Sequence, residues 1–297
     1  MKKIKHAIEY AAMIALLLPL RILPFRWSVA IGGAAGGLLW RLGIRRSVSR
    51  FNLHLCLPEF EGKAADRVLC ESYRNFCRSM VEFALLPRLR GRTGDFVEIK
   101  DLEFLQTLTT KSVGALMVTG HFGSWELLGA ALCEAGVPLD FLVGEQSNAA
   151  VDNFINNIRA SMGAGIIHMG VAARGVIKAV RSGRMVAMLS DQDAGKSSVV
   201  VNFFGHPAST PQGIAAFALK LKCPIVFGSI YRVGKTARHI VELEIVFDDY
   251  EGLPEKKEDA IRQITQIYTD RLEEAVRRAP QMYFWAHRRF KRTMKYP

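Results

Sequence analysis

The sequence predicts an α/β fold: a largely parallel central sheet flanked by helices, preceded by an N-terminal helix that meets a membrane. Three observations carry the prediction. From residue 96 onward, short apolar runs alternate with helical stretches, the signature of strands joined by crossover helices. The run 113–118 is apolar but for one glycine, as expected of a strand buried on both faces. The first 26 residues place Lys2, Lys3 and Lys5 before an apolar stretch from Ala11 to Leu20, with Arg21 and Arg26 beyond it. A chain of 297 residues, 49% of them hydrophobic, is long enough for a sizeable core.

The N-terminal apolar stretch is shorter than the roughly 20 residues that cross a bilayer, unless it extends back to Ala7 and on to Leu23. No small-residue cleavage site follows clearly, so a retained anchor is expected, either tilted across the bilayer or lying in its interface. Residues 1–26 are assigned to this anchor and 27–297 to one folded domain. Between Trp27 and Gly43, Gly32 and Gly36, then Gly33 and Gly37, lie four apart, a spacing that permits close helix packing. Arg41, Arg45, Arg46 and Arg50 follow, suited to anionic head groups or to a solvated face. A long amphipathic helix is expected over 63–89, with Val68, Leu69, Phe76, Met80, Phe83 and Leu86 on its packing face.

Strands are then expected at 96–100, 113–118, 138–143, 165–169, 185–190, 199–203, 224–231 and 239–247. Helices are expected at 101–109, 124–135, 149–162, 172–182, 211–222 and 256–279. No internal repeat is present. Phe203, Phe204 and Gly205 close one strand, and Ser209 or Thr210 is placed to cap a helix whose first residue is Pro211.

Chemistry concentrates at strand ends, where α/β sheets gather ligands. His121 stands where the 113–118 strand hands over to a helix, in the string GHFGSWE. A neutral imidazole takes a proton near neutral pH, and a carboxylate beside it fixes its tautomer. Glu126 is expected to be that carboxylate, with His121 in the loop and Glu126 in the first helical turn. Gly120 and Gly123 allow the loop its shape, and N–H groups near Gly123 offer an oxyanion site. A satisfied polar histidine beside an ordinary first-turn carboxylate fits the same residues, and the chemistry alone leaves both readings open. On the helix at 149–162, Asp152, Asn156 and Arg159 share a polar face apart from Ile155, Ile158 and Met162. Arg159 there either binds an anion or faces solvent. The 185–190 strand delivers Asp191, Gln192 and Asp193 to its end, where acids orient a hydroxyl, hold an arginine or ligate a metal.

GHFGSWE followed by an apolar helix resembles the H-x-x-x-x-E motif of the late acyltransferases of lipid A biosynthesis, the lauroyl- and myristoyl-transferase family within the lysophospholipid acyltransferase superfamily. The resemblance extends to the helix around Asn153 to Arg159, to SDQDAG at 190–195, to NFFGHPASTPQG at 202–213 and to YFWAHRRFK at 283–291, so it spans nearly the whole chain. It implies a glycerol-3-phosphate acyltransferase-like fold at the cytoplasmic face of a bacterial inner membrane. It implies an acyl thioester donor, on acyl carrier protein or coenzyme A, and a glycolipid acceptor, a lipid A precursor. His121 would be the general base, oriented by Glu126. Arg159, Asn156, Asp191 and Gly123 would meet substrate, and Phe203 and Phe204 would line an apolar site. No metal or organic cofactor is required. Ser124 lacks the G-x-S-x-G setting of a nucleophile, so no covalent acyl-enzyme is expected.

Forty Lys and Arg against 28 Asp and Glu give a net charge of +12, which calls for an anionic partner: a membrane surface, nucleic acid or an acidic carrier protein. The tail from Met282 to Lys295 interleaves aromatic and basic residues, as nucleic-acid binders and membrane interfaces both do. Its match to the family's ending selects the membrane and sets nucleic acid aside. Five scattered cysteines form no C-x-x-C pair, which fits reduced thiols in a cytosolic compartment. The remaining histidines, His287 among them, show no ligand spacing and receive no role. Three other readings stay in view: the same chemistry on another lysophospholipid or glycolipid, a basic binding protein without catalysis, and a metal hydrolase.

Overall fold

The computed structural model describes residues 2–195 and 198–297. Four helices come first: α1 (Lys2–Ile22), α2 (Phe25–Arg41), α3 (Arg46–Cys56) and α4 (Gly62–Leu85). The alternating part follows as β1 (Val97–Ile99), α5 (Leu102–Thr110), β2 (Ala115–Thr119), α6 (Trp125–Glu134), β3 (Leu139–Val143), α7 (Ala149–Ser161), β4 (Gly165–His168), α8 (Ala172–Arg181) and β5 (Met185–Leu189). A hairpin of β6 (Ser198–Phe203) and β7 (His206–Pro211) precedes α9 (Gly213–Leu221), β8 (Ile225–Arg232), β9 (His239–Phe247) and α10 (Lys257–Arg278).

Seven strands form one sheet in the order β1-β9-β8-β2-β5-β3-β4. The five strands from β8 to β4 run parallel, whereas β9 pairs antiparallel with β8 and carries β1 in its own direction. The sheet is therefore largely parallel, with a reversed pair at one edge. All five residues of β2 are buried, and they alternate between two layers. Leu116 and Val118 face a layer holding Val176, Ile214, Ala218, Ile264 and Leu272. Ala115 and Met117 face Leu127, Leu128, Val81, Phe25 and Val29. Period-two alternation in a strand buried on both sides requires this division.

The glycine spacing in α2 has the expected use. A Cβ on Gly32 would meet the Cys77 carbonyl and one on Gly36 the Tyr73 carbonyl, so the backbones of α2 and α4 approach directly. The long amphipathic helix ends at Leu85, with a short 3-10 turn from Leu86 to Leu89.

The structure corrects two expectations and adds two elements, β7 and α3. Residues 206–211 form β7, paired antiparallel with β6, and α9 begins only at Gly213. Ser209 and Thr210 are thus strand residues and cap nothing. The two-residue turn has positive φ at both Phe204 and Gly205, as tight hairpin turns require, and a phenylalanine there concealed the signal. The helix α3 was not anticipated in the basic stretch that contains it. No described helix is long and apolar enough to cross a membrane, so the spanning form of the anchor does not describe α1.

Candidate active site

The site is built from two adjacent strand ends. β2 and β5 pair in parallel with Thr119 opposite Leu189, so His121 and Asp191 each lie two residues past that pair. Ser190 donates its N–H to the Thr119 carbonyl at 3.0 Å and keeps the two chains together beyond the sheet. Asp191, 2% exposed, then accepts two bonds from one residue. His121 N–H reaches its Oδ2 at 2.9 Å, and His121 Nδ1 lies 2.7 Å from its Oδ1. With Nδ1–H donating to the carboxylate, Nε2 presents a lone pair, 3.3 Å from the Gln192 amide nitrogen. The imidazole keeps 20% of its side-chain surface open, which leaves an approach for substrate.

The electrostatics follow from that contact. Burial opposes the imidazolium, but the Asp191 charge and hydrogen bond, with the Glu126 charge behind them, raise the His121 pKa above the ordinary histidine value. Burial likewise opposes the Asp191 anion, yet the His121 ring and its backbone bond hold the carboxyl below its usual range. This is the arrangement of a carboxylate-oriented general base.

Glu126 is elsewhere engaged, which corrects the expectation that it orients His121. It sits in the first turn of α6, 7% exposed. Arg159 Nε donates to its Oε2 at 3.0 Å, and Arg159 Nη2 donates to its Oε1. The polar face of α7 continues this pair. Arg159 Nη1 reaches Asn156 Oδ1 at 3.1 Å, and Asn156 Nδ2 reaches Asp152 Oδ2 at 3.0 Å. The Arg159 guanidinium also lies 5.7 and 5.5 Å from the Phe83 and Phe141 ring centres. Arg159 and Asn156 are therefore committed to protein partners, and neither is presented as a free anion ligand.

Gly123 also differs from expectation. Its N–H donates to the Met282 carbonyl at 2.9 Å and its carbonyl accepts from Ser79 Oγ at 2.9 Å, so its donor is spent. Its φ of +58° and the adjacent Ile230 carbonyl exclude any side chain. The N–H groups left over by helix geometry belong to the first turn of α6, after Ser124. Phe203 and Phe204 are buried core: they pack on each other at 4.8 Å, and Phe203 packs on Phe290 at 6.2 Å. They line no open site.

The wall beside His121 is aromatic. Trp125 meets the imidazole edge-on at 4.9 Å, Phe284 lies at 6.4 Å, and Phe76 stacks on Phe284 at 4.3 Å. Much of this wall comes from the C-terminal segment. Phe284 N–H donates to the His121 carbonyl at 3.0 Å, and Tyr283 bridges to Phe122. The segment is held by Ser72 to the Tyr283 carbonyl, Asn75 to the Gln281 carbonyl and Asn52 to the Trp285 carbonyl. Arg289, 2% exposed, donates to the Ser209 carbonyl and Thr210 Oγ1. Its charge also helps keep Asp191 ionised. His287 accepts the Asp193 N–H at 3.4 Å, with its pKa held down by burial. Asp193 itself pairs with Arg292 at 3.1 Å. Of these, Gln192, Phe284, His287 and Arg289 receive no role from the sequence, although Gln192 is placed at the strand end. Their one signal was their place in the strings SDQDAG and YFWAHRRFK.

Behind the turn, Glu82 and Arg232 form a fully buried pair, Nη2 to Oε2 at 2.8 Å, next to a His239 that burial pushes down to about 4. Among the described residues, no three His, Cys, Asp or Glu side chains converge as a metal site requires.

A buried carboxylate, a partly exposed imidazole and an apolar wall at a strand end suit proton removal from a hydroxyl beside an apolar substrate, and comparisons with known proteins agree in kind. A lipid A biosynthesis palmitoleoyltransferase of Escherichia coli (strain K12) is 27% identical over 281 residues, covering 92% of this chain and 86% of that one. A lipid A biosynthesis acyltransferase of Shigella flexneri matches to the same extent. A phosphatidylinositol mannoside acyltransferase of Mycolicibacterium smegmatis is 22% identical over 205 residues, 67% of each chain. With the sequence model for bacterial lipid A biosynthesis acyltransferases matching residues 1–292, the chain belongs to that family of acyl-transferring enzymes.

Proposed function

We propose that this enzyme moves a fatty acyl chain from an acyl thioester to a hydroxyl of a lipid A precursor, with His121 as general base and Asp191 as the group that orients it. The observation that carries the reading is the 2.7 Å contact between His121 Nδ1 and Asp191, which leaves Nε2, beside the Gln192 amide, as the basic nitrogen. The acceptor hydroxyl gives its proton to Nε2 as its oxygen attacks the thioester carbonyl. The tetrahedral oxyanion is met by N–H groups of the α6 first turn. The carbon–sulfur bond then breaks, and the proton passes from His121 to the leaving thiolate. Ester and free thiol result, and no cofactor enters the balance. The Glu126–Arg159 pair holds α7 to α6 beside the site, and the Glu126 charge favours the imidazolium.

The lipid substrates call for a membrane, and the first two helices supply the matching surface. Leu16, Leu18 and Ile22 of α1 are exposed, as are Trp27, Ile31 and Leu38 of α2 and Leu42 just past its end. Positions 27, 31, 38 and 42 recur along one helical face, and Arg21, Arg26, Arg41 and Arg45 flank it. Large exposed apolar faces bordered by cations are features of helices that lie in an anionic interface. We assign this face to the cytoplasmic leaflet of the inner membrane.

The test is acyl transfer in detergent from thioester donors to a panel of acceptors that includes Kdo-substituted lipid A precursor, read by product mass. Wild type should acylate the precursor, and His121→Ala should lose at least about a hundredfold in rate. Transfer only to a mannosylated phospholipid, the acceptor class in the name of the Mycolicibacterium relative, would keep the mechanism and replace the acceptor. A folded wild type that acylates no lipid removes the reading.

A further inference from the structure

Between Asp152 and Glu242 the only acidic residues are Asp191 and Asp193, and both are occupied, by His121 and Arg292. The two helices in that interval, α8 and α9, carry no carboxylate. They pack side by side on the layer with Leu116 and Val118, through Val176, Ala179 and Val180 of α8 and Ile214, Ala215 and Ala218 of α9. Arg174, Lys178 and Arg181 recur at i, i+4 and i+7 on the outer face of α8, all exposed, and Lys220 is exposed on α9. At the upper end of this cationic strip Met169, 63% exposed, lies with Arg174 and Phe217 around a shallow apolar cleft.

Its position matters as much as its charge. Met169 follows the C-terminal end of β4, the same sheet edge from which β2 and β5 deliver His121 and Asp191. β4 is three strand spacings from β2, roughly 14 Å. The Pro211 carbonyl just before α9 accepts from Ser190 Oγ at 3.3 Å, which ties that helix start to the residue preceding Asp191. The strip also covers the sheet layer opposite the one that takes Phe25 and Val29 of α2. The N-terminal half of α2, which carries Trp27 and Ile31, thus packs on the far side of the sheet from the strip, while Trp40 near its other end joins the near layer.

We infer that the α8–α9 face is the docking surface for an acidic carrier protein, which presents the acyl thioester to His121 on a flexible arm. The inference rests on the thioester reading given above. Arg174, Lys178, Arg181 and Lys220 meet the carrier's carboxylates, and the cleft at Met169 and Phe217 takes an apolar side chain of the carrier. Contacts of this kind act on encounter and are screened by salt.

The experiment compares wild type with the triple variant Arg174→Glu, Lys178→Glu, Arg181→Glu and with its glutamine counterpart. Each receives the same acyl group either on acyl carrier protein or on the small thiol N-acetylcysteamine. Carrier binding by the detergent-solubilised enzyme is also titrated calorimetrically. The glutamate variant should raise KM for the carrier donor, and weaken carrier binding, by at least about tenfold. Its kcat and its use of the small thioester should match wild type, and the glutamine variant should fall between. Unchanged carrier binding in the glutamate variant overturns the inference, as does an equal loss with both donors. Loss of binding to anionic vesicles with carrier binding intact reassigns the strip to lipid. If wild type binds the carrier at this face yet transfers from neither donor, the docking surface stands and the proposed reaction falls.

Discussion

His121 carries two opposed demands. The proposed reaction needs its imidazole neutral, whereas the Asp191 contact is strongest when it is charged. Because Asp191 raises the His121 pKa, the rising limb of kcat/KM against pH should have its midpoint above the ordinary histidine value of about 6.5. Asp191→Asn should move that midpoint down and cut kcat by at least about a hundredfold, since an amide at this position does not hold the Nδ1–H tautomer by charge. A pH–rate profile of both proteins checks this, and a limb that stays in place in the variant counts against Asp191 as the orienting group. The stability contribution runs the other way. A raised histidine pKa stabilises the fold fully below the unfolded value and ceases to as pH rises through the folded value. A lowered Asp191 pKa stabilises above the unfolded carboxyl value and ceases to as pH falls through the folded one. The His121–Asp191 coupling in a double-mutant cycle of urea unfolding should therefore be larger near about pH 5.5 than near about pH 9.

The second acid–base pair at this scale is structural in its contacts. Glu126 and Arg159 have side chains 8% and 15% exposed. Arg159→Met leaves a nearly buried carboxylate without its partner and should cost about 3–5 kcal/mol of unfolding free energy. Adding Glu126→Gln to it should recover part of that loss. Chemical unfolding of the two variants decides, and a double variant no more stable than the single one excludes this account of the pair. His121, Asp191, Glu126 and Arg159 were all legible as candidates in the sequence, but their pairing was not. Glu126 is five residues from His121 and Asp191 seventy, and proximity along the chain favoured the carboxylate that the fold instead pairs with Arg159.

Among the elements, α3 was missed although its buried residues Val48, Ser49, Asn52, Leu53 and Cys56 recur at helical spacing, because the arginines around them read as a charged face. α2 and α4 announce themselves by glycine spacing and by an amphipathic stripe. Gly36 faces the Tyr73 carbonyl, so Gly36→Leu should push the helices apart and destabilise the protein by about 1–3 kcal/mol or more, read as a lowered Tm. On the outward face of the same helix, Trp27→Glu with Leu38→Glu touches no core residue. It should leave Tm unchanged and reduce flotation with anionic vesicles severalfold, because two anions then replace apolar contacts at the interface. Flotation equal to wild type would count against the membrane face. The hairpin β6–β7 was half legible. Its second strand, HPASTP, reads locally as a helix entry, and pairing with β6 together with the Arg289 clamp overrides that preference.

Across the whole molecule, the C-terminal segment after α10 completes the site. It occupies the Gly123 N–H, pairs with the His121 carbonyl and supplies Phe284 to the cleft wall. Removing residues 280–297 should abolish acyl transfer even where the truncated chain remains in detergent solution with native helix content by circular dichroism. Retained activity would show that the catalytic turn holds its shape without this strap.

Alternation of apolar strands with helices, a histidine at a strand end, clustered basic charge and an apolar N-terminal stretch flanked by basic residues were determined by the sequence alone, because each is a local pattern of side-chain size, period or charge. Only the tertiary structure decided which carboxylate meets His121, that Arg159 is already paired, that the Gly123 donor is spent on Met282 and that Phe203 and Phe204 are core. Those outcomes depend on β5 lying beside β2 and on the chain's end returning to its middle. Such contacts are fixed by sheet order and packing between residues far apart in the chain, and no local pattern encodes them.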